Sequence, residues 1–160
     1  MLSQYLIVTP YSHGYAKLTY KTMTMCSHIL NKYKNLLRSQ KITPDYVLKQ
    51  ISYQIGFRLY NFEEWNHLCD CVHFPRFNSN NSKGGKRKIF DMTVDFDVIY
   101  HDFKINGICD LIDEDIDWLR FNFHLASFMN SQTSAIALRV QERENNKSET
   151  QYPMSKALIY

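Results

Sequence analysis

Three stretches between Thr24 and Val72 space their apolar residues at helical intervals, and each begins and ends on its own signals. This feature constrains the fold most, because a capped stripe of period 3.6 commits a segment to an amphipathic helix that needs a core to lie on. In residues 24–39, Met25, Ile29, Leu30, Tyr33, Leu36 and Leu37 form the stripe, and His28, Lys32, Asn35 and Arg38 the polar face. Thr24 is the expected N-cap. Thr43-Pro44-Asp45 opens a second helix, with a capping hydroxyl, a proline suited to the first turn and a carboxylate that complements the dipole. Its stripe is Val47, Leu48, Ile51 and Ile55, and Gly56 stops it. A third helix runs from Asn61, with Glu63 and Glu64 in its first turn and Phe62, Trp65, Leu68, Cys69 and Val72 as its stripe.

Elsewhere the pattern favours strands. Gln4–Thr9 and Lys17–Thr22 read as a hairpin across the turn at residues 10–14. From Phe90 to Tyr100, Phe90, Met92, Val94, Phe96 and Val98 alternate with Asp91, Thr93, Asp95 and Asp97, the period of a half-buried strand. Phe103–Ile112 is expected to pair back after a turn at His101-Asp102, and Ile116–His124 to follow after Asp113-Glu114-Asp115. Residues 125–143 fit either a helix or a strand. The expected fold is α+β: an antiparallel sheet, made of the N-terminal hairpin plus a C-terminal three-stranded meander, with about three helices packed on one face.

A chain of 160 residues fits a single domain, 1–160. Within it, 1–76 is a basic, mainly helical half and 77–88 a flexible basic loop. The acidic, mainly strand half is 89–143, and 144–160 is a polar tail. Residues 1–88 carry 13 Lys+Arg against four Asp+Glu, and residues 89–160 carry six against 12. Either the basic half meets an acidic partner such as nucleic acid, or the two halves attract each other. The first ten residues lack the basic start and apolar run of a secretory signal, and the four cysteines read as free thiols, so a cytoplasmic setting is expected. No apolar run is long enough to span a bilayer, and no sequence fingerprint calls for a cofactor.

Several groups of residues can carry chemistry. Lys32, Lys34, Arg38 and Lys41 lie on and just after the first long helix, and Lys83, Lys86, Arg87 and Lys88 in the glycine-containing loop. Together they are candidates to contact phosphates, with exposed aromatics adding base stacking. The plainer reading is a solvated helix face and a soluble loop. His67, Cys69, Cys71 and His73 hold donor atoms for a metal, but the spacing points the two i,i+4 pairs in different directions and lacks a C-x-x-C knuckle. The alternative there is two buried thiols near a helix end. Asp95, Asp97 and Asp110, on neighbouring expected strands, are candidates for Mg²⁺-assisted phosphodiester cleavage. Their plainer role is to keep a sheet face in water.

Two short resemblances bear on these residues. Ile51-Ser52-Tyr53-Gln54-Ile55-Gly56-Phe57 resembles the I-A-x-x-x-G-F run of arabinose-type transcription activators, which implies a helix-turn-helix over residues 43–72. The connection from Gly56 to Tyr60 is longer than that family's turn, and the would-be recognition helix carries Glu63, Glu64 and Asp70. Lys104–Asp115 is similar to the strand bearing the first catalytic Asp of RecB-type nucleases. The acid-x-Lys pair that should follow reads Arg120-Phe121-Asn122-Phe123-His124 instead, which argues against an active nuclease.

The leading expectation is a non-enzymatic binding protein acting on nucleic acid or on a nucleoprotein complex. Its Lys-, Asn-, Ile- and Tyr-rich composition suits A+T-rich coding, common in phages and mobile elements. The short, motif-poor profile is similar to that of anti-defence inhibitors of the anti-CRISPR type. The alternatives are a helix-turn-helix regulator, a metal-dependent or degenerate nuclease, and a subunit of a larger protein assembly.

Overall fold

The computed structural model describes residues 4–8, 13–74, 92 and 94–150, the last four by backbone alone. The expected basic loop, with Lys83, Lys86, Arg87 and Lys88, lies outside the described residues, as does most of the polar tail. The elements in chain order are β1 (Gln4–Val8), β2 (His13–Lys17), α1 (Tyr20–Arg38), α2 (Pro44–Ile55), α3 (Phe62–Cys71), α4 (Phe96–Ile105), α5 (Trp118–Met129) and α6 (Ala135–Thr150). They fall into two compact units. The first comprises Met1–Lys83 with Asp115–Phe121, and the second Gly84–Glu114 with Asn122–Tyr160. Among the described residues no helix is long and apolar enough to cross a membrane.

In the first unit β1 and β2 pair antiparallel, with Leu6 opposite Tyr15 and Ile7 opposite Gly14. The alternation of strand side chains buries Ile7 and Ala16 and leaves Leu6, Val8 and Tyr15 outside. The second strand is His13–Lys17 and not the expected Lys17–Thr22, because the chain turns at Thr19 and Tyr20 already opens α1. Thr19 and Thr22 form a reciprocal cap: the Thr22 N–H donates to the Thr19 hydroxyl and the Thr19 N–H to the Thr22 hydroxyl. The expected cap, Thr24, therefore sits inside the helix. The expectations for α2 and α3 hold at residue level. Thr43 caps α2, Pro44 is in its first turn, and Gly56 ends it in the left-handed region at φ 67°. Asn61 caps α3 by accepting from the Glu64 N–H.

The segment Asp115–Phe121 returns to this unit and completes its core. Across an isolated bridge between Thr19 and Asp117, the Tyr20 N–H donates to the Ile116 carbonyl (2.8 Å) and the Trp118 N–H to the Leu18 carbonyl (3.0 Å). The Asp117 carboxylate caps α5 by accepting from the Leu119 and Arg120 N–H groups, and it also accepts from the Tyr5 hydroxyl at 2.6 Å. Burial first, and then that carboxylate, raise the Tyr5 phenol well above its ordinary pKa. The Trp118 ring is buried against Phe74 and Phe121, and its indole N–H donates to the Val72 carbonyl at 2.9 Å. Trp65 is equally buried, yet its indole N–H meets no hydrogen-bond partner among the described residues.

In the second unit α4 and α6 pack together. Phe103 is fully buried, with its ring edge-on to Phe128 at 5.4 Å and to His124 at 6.0 Å. The buried Asp102 carboxylate accepts from the Ala135 N–H (3.0 Å) and the Ile136 N–H (2.9 Å), so α4 supplies a cap for the first turn of α6. Farther along, the Arg143 guanidinium forks onto the fully buried Asp95, and Arg139, one turn earlier, reaches Asp97 at 3.2 Å.

The expected three-stranded meander is not formed, and the molecule is helix-rich with a single two-stranded hairpin among its described residues. Residues 96–105 and 118–129 are helices. Of the described apolar residues that carried the alternation between 90 and 98, Val98 alone enters the core. Val94 is 69% exposed and Phe123 71%, whereas the apolar residues with no exposure in this region are Ile99, Phe103 and Phe121. Val98, Ile99, Asp102 and Phe103 form the buried side of α4, and Trp118, Phe121 and Leu125 that of α5, both at helical spacing. Asp97, taken as the polar face of a strand, lies in the first turn of α4, where a negative charge complements the helix dipole.

The two buried tryptophans provide a test. Each Trp→Phe change removes the same volume, but only Trp118→Phe also removes a buried hydrogen bond. Trp118→Phe is expected to lower urea stability by about 1–2 kcal/mol more than Trp65→Phe. Equal losses would show that the Trp118–Val72 bond contributes nothing net.

Candidate nucleic-acid interface

The basic residues of α1 do not share one face. Lys34 and Arg38 are one turn apart on the same side, whereas Lys32 is about 200° from Lys34 around a helix of ~3.6 residues per turn. Arg38 lies in the last turn of α1, and Lys41 is exposed just beyond it, with its N–H donating to the Leu36 carbonyl. Both also complement the negative end of the helix dipole, a structural role that needs no ligand.

Lys32 joins a different group. Its ammonium lies 5.2 Å from the centre of the Tyr33 ring, and that ring meets Tyr46 of α2 edge-on at 5.5 Å. The Tyr46 hydroxyl donates to the Tyr33 oxygen. This bond first, and then the Lys32 charge, lower the Tyr33 phenol's pKa, and the same bond raises that of Tyr46. Along α2 the buried stripe Val47, Leu48, Ile51 and Ile55 leaves Tyr46, Lys49, Gln50 and Tyr53 on the solvent side. Tyr53 is 85% exposed. The phenols of Tyr46 and Tyr53 are seven residues apart, nearly in line and about 10.5 Å apart along the axis. After α2, the Arg58 guanidinium covers the exposed Tyr60 ring at 4.7 Å. Residues 20–60 carry seven Lys+Arg and one acid, Asp45, which pairs with Lys49 at 3.0 Å in solvent. An exposed pair of that kind holds Lys49 only weakly.

This surface presents cations beside aromatic faces. The sequence pattern marks the basic residues, but it does not by itself single out the tyrosines. The available signal was their seven-residue spacing opposite the α2 stripe.

The other candidate groups are arranged differently. On α3 Cys69 is buried while His67 and Cys71 are exposed, as is His73 just past the helix, and Cys71 lies 3.9 Å from His67. Among the described residues no three His, Cys, Asp or Glu side chains cluster as a metal site. Asp95 and Asp97 face Arg143 and Arg139, and Asp110 accepts from Lys104 at 3.0 Å and from Tyr100 at 3.2 Å. Each carboxylate is thus held by a neighbour of its own, and the Lys104 bond above all keeps the Asp110 carboxyl below its ordinary pKa. In the helix-turn-helix segment, Glu64 is buried rather than displayed, and its carboxylate accepts from the Tyr60 N–H at 2.6 Å. The solvent side of α3 still shows Glu63 and Asp70, which phosphates would meet with repulsion. A cleft of about 570 Å³ in the second unit is lined by His101, Asn106, Ser131, Thr133 and Leu138 among others. Its buried carboxylate, Asp102, is occupied by the α6 amides.

No protein-family model, curated protein or solved structure matches this chain.

The four thiols should differ in reactivity. Burial pushes the Cys26 thiol up to about 12 and closes off Cys69, whereas Cys71 is exposed beside His67. Peptide mapping after iodoacetamide treatment of the native protein should find Cys71 modified first, and Cys26 and Cys69 only after denaturation. Labelling of Cys26 as fast as Cys71 would show that the α1 core is open.

Proposed function

We propose that this chain is a non-enzymatic binding protein that engages the phosphate backbone of nucleic acid through the α1–α2 surface. The observation that carries the reading is the excess of seven basic residues over one acid in residues 20–60, set among exposed tyrosines. The carboxylates that a nuclease reading would need face arginine, lysine or tyrosine side chains instead. The helix that a helix-turn-helix reading would place in the major groove shows acids on its solvent side.

Fluorescence anisotropy with labelled oligonucleotides across a salt series tests the proposal. Affinity should fall log-linearly with salt, with a slope of about −0.7 to −0.9 per phosphate neutralised. Changing Lys32, Lys49 and Arg58 to Ala together should flatten that slope while circular dichroism stays unchanged. No binding at low salt would overturn the reading.

A second reading, a subunit of a protein assembly, is favoured by the outer face of the hairpin. There Leu6 (60%), Val8 (63%) and Tyr15 (62%) are exposed side by side. Sedimentation velocity should then show self-association that Leu6→Lys abolishes. A monomer at every concentration would count against this reading in its self-associating form.

A further inference from the structure

We infer that the nucleic acid held on this surface is single-stranded, with an unpaired base stacked on Tyr53. The inference rests on the nucleic-acid reading above and adds the form of nucleic acid to it. Tyr53 is the most exposed large hydrophobic side chain of the described residues, at 85%, and it lies opposite the buried stripe of its own helix. Packing therefore gives no reason for an aromatic ring there. A duplex gives none either, because its base faces are already stacked on one another and only their edges and phosphates are presented. An unpaired strand does have free base faces, and a phenol ring accepts any of the four bases.

The neighbours of Tyr53 suit the same ligand. Lys49 and Gln50 precede it on the same exposed side of α2, with the Lys49 ammonium resting on Asp45 in a weak solvent-exposed pair. Tyr46 stands two turns away in a T-shaped pair with Tyr33, and Lys32 lies beside that pair. Tyr60, half-exposed under the Arg58 guanidinium, offers a second ring of the same kind. A surface rich in tyrosine also suits a protein partner, but the preponderance of base over acid across residues 20–60 favours a polyanion.

The test uses the full chain and four labelled probes of equal phosphate number: oligo(dT), oligo(rU), a DNA hairpin duplex, and an abasic strand with the same backbone. Wild type should bind oligo(dT) or oligo(rU) more tightly than the duplex or the abasic strand, and the dT and rU arms tell DNA from RNA. Tyr53→Ala should lose about five- to a hundred-fold in affinity for the base-bearing strands and nothing for the duplex or the abasic strand. Tyr53→Phe should retain wild-type affinity, since stacking needs the ring and not the hydroxyl. Alanine is the better helix former at this exposed position, so the variant should fold. Salt-sensitive binding that Tyr53→Ala leaves unchanged on every probe would overturn the stacking inference and leave the phosphate reading standing. Failure to bind any probe at low salt would remove both.

Discussion

Two backbone hydrogen bonds across the Thr19–Asp117 bridge join parts of the chain nearly a hundred residues apart, and the first unit depends on them. They bring Ile116, Trp118 and Phe121 onto a core whose other members come from the first 74 residues. Side chains reinforce the joint: Tyr5 from β1 and the first turn of α5 both use the Asp117 carboxylate. Such a joint combines directional bonds with the burial of a large ring. The bonds set the register, and the ring contributes most of the free energy, since deleting a buried Trp side chain typically costs about 3–5 kcal/mol.

The second unit is organised by charge. Asp102 caps α6 from outside that helix, and Asp95 and Asp97 hold Arg143 and Arg139 along it. These contacts place part of the acidic excess of residues 89–160 against basic groups of that same stretch. Buried carboxylates are stable only when their oxygens are satisfied, and here amides and guanidinium groups supply the donors. The basic surface of α1 and α2 has no comparable set of acids in its own segment, where Asp45 stands alone among the acids.

Legibility in the sequence followed the capping residues. Thr43, Pro44, Gly56 and Asn61 each have a local role that few other residues fill, so α2 and α3 were readable to the residue. The later helices lacked that clarity. Over the short runs at 94–100 and 120–124, alternation and helical spacing fit the same letters, and the exposed Val94 and Phe123 tipped the pattern toward strands. What decides those segments is tertiary: Asp95 meets Arg143 from a helix more than forty residues later, and Trp118 meets Val72 from the other direction. At the candidate site the charges were legible because charge is a property of the letters. The division of Lys32 from Lys34 and Arg38 follows already from one continuous helix over residues 24–39, since two residues along it turn by about 200°.

Because Asp115–Phe121 belongs to the first unit while Gly84–Glu114 belongs to the second, the order of synthesis and the order of assembly differ. A ribosome delivers Leu18, Val72 and Phe74 well before it delivers the tryptophan that meets them. Until residue 121 has left the exit tunnel, the nascent first unit carries an apolar slot open to water, and a growing loop of chain must be drawn back to fill it. Loop closure of that length slows folding more than it weakens the finished fold. The interval is a window in which a chaperone, or another copy of the chain, can reach that slot first.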